Sequence, residues 1–600
     1  MRTKIFFFTL IVCIILQTSC DKKEQPALKS ASPTRVDPLP LPQDALAVDI
    51  TGKEGGRLVT ANFTEPKTFN QLLFHETDSQ TYNQLMSPGL TRLNFATQEP
   101  EPALAKSWES SPDNLTWTFH LRKGLLWSDG RPFTADDVLF TMEMVRDPNI
   151  PSGAQDALTI DGKPIEWSKT DDHTVVAKLP SVLVTFLRQL DGTVCPVIAK
   201  HKWEKVYRDG KFPEAMQVSM NPADFVNLGA FRLHEYRPGQ KLVLKRNPYY
   251  WKKDRNGKRL PYLDEIVFLM LANLDQVQLK MESGELDTYY NIRPEDVDSL
   301  KQKAGALNLN IINVGPTLDF EGIFFNENGD RNPKNGKPYV DEVKRAWFTD
   351  VNFRRAISQG INRDALVRNA VYGKGVPAWG PESVSNTKWY SDDIVRYPYD
   401  PEKAMALLQS SGFKQKQDES GNLQLYDKRG NPVRFSLNTN SGNSIRNTEC
   451  TLIVSDLAKL GIHIDYAPLD FNSLVTKVTS SFDFDAVLLG LTHDDLDPTS
   501  GVNVWPSNGT LHFWWPSQTS PHTAWEKRID QLMSLQLATF DTAQRKKYYD
   551  EVQKIMTDQQ PMIFTITQYI FVFAKQNLGN LKPNISRHRT LWNADELYWK

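Results

Sequence analysis

Residues 113–138 constrain the fold more than any other stretch of this chain. From Leu115 the sequence alternates. Leu115, Trp117, Phe119 and Leu121 share one face, and Thr116, Thr118, His120 and Arg122 share the other. A period of two predicts a strand with one buried face. Asp129-Gly130 then supplies turn residues, and Pro132-Phe133 lead into Thr134-Ala-Asp-Asp137. Thr134 reads as an N-cap, with Asp136 and Asp137 in a first turn whose dipole favours negative charge. Val138, Phe140, Thr141, Met144 and Val145 follow at helical spacing. Strand, turn and capped helix in one run point to a mixed α/β or α+β fold.

The rest of the chain keeps this mixture. Gly55-Gly56 reads as a turn before a strand at 57–63, and further strands are expected at 241–246, 263–271 and 462–468. Helices are expected at 273–284, 400–411 (closed by Gly412) and 446–460, with one or two more across 524–558. At 600 residues the chain is too long for one compact core, so two to four domains are expected. No repeat of 20–50 residues is visible. The charged fraction is 24% and the formal net charge −2, which lacks the basic footprint of a nucleic-acid binder.

The N-terminus is built as a targeting segment. Arg2 and Lys4 precede a short apolar run at 5–16, then Gln17-Thr-Ser19 and Cys20. The run is shorter than the roughly 20 residues of a bilayer span, and reads as the core of a signal peptide at 1–19. Residues 20–47, polar and proline-rich, cannot bury a core and are expected to form a flexible tether. Of the four cysteines, Cys195 and Cys450 stand far from this end, and their separation gives no ground for a disulfide.

Signatures of catalysis and of metal binding are missing. The sequence holds no phosphate-binding glycine loop, no His-Glu-x-x-His, no Gly-x-Ser-x-Gly and no Cys-x-x-Cys. The ten histidines are scattered, and His512 and His522, flanking Phe513-Trp514-Trp515, stand without a cysteine or carboxylate cluster. No catalytic residue, metal site or cofactor is expected.

Several long segments resemble the family 5 extracellular solute-binding proteins, the oligopeptide, dipeptide and nickel binders of bacterial ABC importers. The strongest are Ala103-Leu-Ala-Lys-Ser-Trp108, Ser111-Pro-Asp-Asn-Leu-Thr-Trp-Thr-Phe-His-Leu-Arg-Lys-Gly124 and Trp127-Ser-Asp-Gly-Arg-Pro-Phe-Thr-Ala-Asp-Asp-Val138. Asn227-Leu-Gly-Ala-Phe231, Arg246-Asn-Pro-Tyr-Tyr-Trp251, Gly284-Glu-Leu-Asp287, Asp350-Val-Asn-Phe-Arg-Arg-Ala-Ile357 and Tyr399-Asp-Pro-Glu-Lys-Ala404 continue it in the family's order. The resemblance implies a periplasmic-binding-protein type II fold, a two-lobed flytrap of the larger three-domain kind. Domain I would be 48–85 with 222–320 and 568–600, domain II 86–221, and domain III 321–567. Cys20 resembles a lipobox cysteine, which implies lipidation and a membrane-anchored protein of the periplasm or cell surface.

The resemblance also implies a ligand site between domains I and III. Gly490-Leu-Thr-His-Asp494-Asp-Leu-Asp-Pro498 follows a strand at 485–489. In the peptide binders a carboxylate four residues before this proline pairs with the ligand's α-amino group, and Asp494 holds that place. Asp495 competes for it, since three carboxylates crowd the loop. The alternative is that Asp494, Asp495 and Asp497 only build a turn. Gly490 and Thr492 match positions whose backbone pairs with the peptide main chain. His75 and Glu76 fall near a first-domain contact region. Leu488 stands where some oligopeptide binders carry an arginine for the ligand carboxylate, so another group must serve that end. Trp379, Trp505, Trp514 and Trp515 are candidates for side-chain pockets or for core. The expected function is capture of di- or oligopeptides and delivery to permease subunits, by a monomer. The alternatives are a nickel chelate, sugar or opine in the same fold, a peptide sensor, or a secreted hydrolase.

Overall fold

The computed structural model describes residues 39–63, 65–73, 77–160, 162–492, 496–586 and 589–600. Cys20, His75, Glu76, Asp494 and Asp495 lie outside the described residues. The alternating segment forms the strand Thr116–Leu121, with Trp117, Phe119 and Leu121 buried and the residues between them half-buried. The helix Ala135–Arg146 follows. Thr134 caps it, and Asp137 closes a reciprocal capping box by accepting from the Thr134 N–H at 3.0 Å.

The molecule has two lobes. In the first, the strands Phe231–Arg237, Lys241–Arg246, Glu265–Met270 and Arg57–Asn62 form a sheet in that order, the last pair parallel. A second sheet is formed by Ala105–Ser110, Thr116–Leu121, Thr174–Lys178 and Glu166–Asp171. The two sheets share one continuous core, running from Leu58 through Phe119, Trp127 and Phe186 to Phe268 and Leu597.

The second lobe is built on five strands in the order His463–Leu469, Arg434–Asn440, Ala486–Leu491, Phe320–Phe325 and Met562–Phe564. Both faces of this sheet are covered. Ile323, Phe325, Ala486 and Leu488 face one core with Phe353 and Leu457, while Phe324, Val487 and Leu489 face the other with Trp505 and Trp514. Burial on both faces explains why 486–489 is a continuous apolar run rather than an alternating one. The expected helices at 400–411 and 446–460 are Pro401–Ser410 and Ser444–Ala458, and 524–558 divides into Ala524–Leu537 and Thr542–Gln559.

Two extended segments join the lobes. Leu309–Pro316 pairs with Ile566–Lys575 in a sheet of the first lobe. Their continuations, Phe320–Phe325 and Met562–Phe564, pair with each other in the second. Thr317 N–H donates to the Gln568 carbonyl at 2.8 Å where they cross.

One expectation needs correction. Residues 39–47 do not form a tether but are bonded to the first lobe. Arg259 donates to the carbonyls of Leu39 and Pro40, each at 2.9 Å. Asp44 accepts from the Lys123 N–H at 3.0 Å and pairs with Lys106 at 3.1 Å, and Leu46–Ala47 lies parallel to Lys252–Lys253. Side chains distant in sequence satisfy this backbone, so local composition carries no trace of it. Cys195 and Cys450 are free thiols buried in the cores of different lobes. No helix among the described residues is long and apolar enough to cross a membrane.

Candidate functional site

The strand Ala486–Leu491 runs through the second-lobe sheet toward the crossing segments, and a cavity of about 110 Å³ opens at its end. Gly490, Leu491 and Thr492 line it with Asp319, Phe320 and Glu321, Asn443, Ile445 and Arg446, and Ile566, Thr567 and Gln568. Gly490 and Thr492, two of the expected site residues, therefore stand together at this cavity. On one side the strand is fully paired, with Phe320 opposite Leu491 and Glu321 opposite Gly490. On the other side its ladder with Arg434–Asn440 ends at Val487. Beyond that point the Thr439 hydroxyl donates to the Leu488 carbonyl at 2.8 Å.

A cation stands here that sequence inspection did not single out. Arg446 lies in the first turn of the helix Ser444–Ala458, whose N-cap Asn443 accepts from the Arg446 N–H at 3.0 Å. Positive charge at a helix N-terminus opposes the dipole and calls for an anionic neighbour. Glu321 supplies it through an ion pair with Arg446 Nε, and Arg446 Nη1 donates to Asn440 Oδ1 at 2.9 Å. Gly490 makes the arrangement possible, because a side chain there would collide with Arg446 Nη2. Glu449, one turn further along the helix and fully buried, lies behind this pair. Burial, reinforced by the charge of Glu321, raises its carboxyl well above the usual range.

Asp497, third carboxylate of the 494–498 stretch, is structural. It caps the turn Pro498–Gly501, accepting from the Thr499 N–H at 3.1 Å, and pairs with Arg545. Burial works to raise its pKa, but the Arg545 bonds and charge outweigh this and hold it below the ordinary value. The tryptophans divide likewise. Trp505, Trp514 and Trp515 belong to the second-lobe core, and Trp505 packs on Phe320 with ring centres 5.0 Å apart. Trp379 lies half-buried under the guanidinium of Arg363, 4.7 Å from its ring centre. His512 is buried, its Nδ1–H donating to the Val504 carbonyl at 3.0 Å.

Two lobes joined by paired crossing strands, with a polar cavity at the end of a central strand, define a solute-binding protein of the flytrap class. The family profile described as bacterial extracellular solute-binding proteins, family 5, matches residues 99–512, and the chain belongs to that family. It is 29% identical over 539 residues to a probable ABC transporter-binding protein of Deinococcus radiodurans, covering 86% of this chain and 87% of that one. It is 26% identical over 533 residues to the dipeptide-binding protein of Escherichia coli K12, covering 86% and 90%. Among solved structures it resembles the periplasmic binding protein MelB of Agrobacterium fabrum C58 in complex with stachyose, with a TM-score of 0.71, 24% identity and coverage of 93% and 88%. The chain is thus a solute-binding component of an ABC importer, and its relatives are binding proteins rather than enzymes.

Proposed function

We propose that this protein captures peptides and hands them to the permease of an ABC importer, held at the membrane by a lipid on Cys20. The observation that carries the ligand class is the open ladder edge of the strand Ala486–Leu491 beyond Val487. An extended peptide laid along Gly490–Thr492 bonds through its main chain, which every peptide shares, so capture tolerates many sequences. Asp494 or Asp495, two and three residues after Thr492 in sequence, would pair with the ligand's α-ammonium in a charge-assisted bond. The dipeptide-binding protein of Escherichia coli, matched over 90% of its length, supports the same ligand class. Domain division at 86–221 and 321–567 goes with this proposal, the ligand lying between the first and third domains and being enclosed by closure about the crossing strands.

A carbohydrate is the second reading. Asn443, Thr492, Thr567 and Gln568 present amides and hydroxyls to the cavity, and the stachyose-bound MelB has the same fold. Calorimetric titration with short peptides, the same peptides N-acetylated, and oligosaccharides separates the two. Peptide capture requires binding of the free-amine peptides and at least about tenfold weaker binding after acetylation. Binding of an oligosaccharide alone would replace the proposal.

A further inference from the structure

The cavity beside Gly490 holds charges in an unusual balance. Arg446 is the only basic residue among the described residues lining it, and it is already paired. Its side chain is 17% exposed and that of Glu321 20%, so the pair is largely withdrawn from water. Asn440 takes a second guanidinium nitrogen. Asp319 stands two residues before Glu321, on the same side of the extended chain, and also lines the cavity. Glu449, fully buried, interacts electrostatically with Glu321 from behind the pair.

We propose that Glu321 neutralises Arg446, so that the subsite over Gly490 takes an uncharged group of the ligand and disfavours a terminal carboxylate. A ligand carboxylate brought to Arg446 would meet the Glu321 carboxylate on the same guanidinium and Asp319 close by. Its lost hydration would go uncompensated, because the cation it meets is already satisfied. A peptide carbonyl or carboxamide meets no such repulsion, and accepts from the guanidinium at far lower desolvation cost. Resting on the peptide proposal above, this assigns the substrate class more narrowly: peptides that continue past this subsite, or that end in an amide.

The test uses pairs of identical tri- and tetrapeptides, one ending in a free carboxylate and one in an amide, titrated calorimetrically into the protein. In the parent protein the amide is the tighter ligand, by about threefold or more. In Glu321→Gln the released Arg446 makes the acid the tighter ligand by about tenfold or more. If Glu321→Gln unfolds, Arg446→Met serves instead, and it should shift the ratio further toward the amide, because Glu321 and Asp319 then face the ligand without a cation. A parent protein that prefers acids by more than about threefold, with that preference lost in Arg446→Met, overturns the assignment while leaving peptide capture intact. Failure of both members of every pair to bind overturns peptide capture itself, and this assignment with it.

Discussion

Arg545 grips Asp497 with both arms of its guanidinium, Nη1 to Oδ2 at 3.0 Å and Nη2 to Oδ1 at 2.6 Å, inside the second lobe. Gln536 completes the shell through its carbonyl and its side-chain oxygen, at 3.1 and 2.8 Å, and Trp389 lies under the guanidinium. This pair fixes the chain just beyond Asp494 and Asp495. Arg545→Met leaves a buried carboxylate unpaired, which costs about 3–5 kcal/mol. Urea unfolding should show a loss of that size, and peptide affinity should fall because Asp497, three and two residues after the candidate amine partners in sequence, loses its anchor. Unchanged stability would show that Asp497 is not held by this pair.

Glu382 sets a stability change in the opposite pH direction from an ordinary paired carboxylate. It is buried, bonded by Asn386 at 2.9 Å and Tyr549 at 3.1 Å, and burial pushes its pKa up to about 7. A carboxyl raised in the folded state contributes stability that is full below its unfolded pKa near 4.5 and is lost as pH rises through 7. Glu382→Gln keeps the shape and removes the titration. Its unfolding midpoint should match the parent's at pH 4.5 and exceed it at pH 8, by an amount on the order of 2–3 kcal/mol. Equal midpoints at both pH values would contradict the raised pKa.

Gly490→Ala tests the geometry of the cavity. The added methyl meets Arg446 Nη2, so the guanidinium must leave its place over the strand and break its bond to Asn440 or Glu321. Overpacking of this kind costs about 1–3 kcal/mol, which a folded lobe tolerates. The variant should stay folded by circular dichroism and lose peptide affinity by at least about tenfold in calorimetry.

Closure has its own contact remote from the cavity. Lys388 of the second lobe pairs with Glu99 of the first at 2.6 Å, and Phe540 meets Trp117 with ring centres 6.4 Å apart. The ion pair is 34% and 60% exposed, which limits its worth to about 1 kcal/mol or less. Glu99→Gln should therefore weaken ligand binding by no more than about fivefold, chiefly through faster release. The charge-swapped double variant Glu99→Lys, Lys388→Glu should recover most of it. Stopped-flow dissociation rates check both.

The parts of this structure that were legible in sequence are those set by local patterning. The alternation at 115–121, the Thr134 cap, the helix at 400–411 and the strand at 485–489 each state their own structure. The parts that were not legible depend on partners far along the chain. Glu321 and Arg446 stand 125 residues apart, and nothing near either marks the ion pair. Asp497 looked like its neighbours Asp494 and Asp495 because its distinguishing partner, Arg545, is 48 residues away. Residues 39–47 read as tether for the same reason, since Arg259 and Lys123 hold them from the body of the first lobe.

The most direct test of peptide capture is native mass spectrometry of the protein as purified, before and after unfolding and refolding. Enclosed clefts retain ligands from the cell that made the protein. The expected result is a spread of adduct masses that sequence as short peptides, disappear on refolding, and are missing from Asp494→Ala. One discrete adduct that is not a peptide, lost on refolding and rebound from solution, would contradict the account.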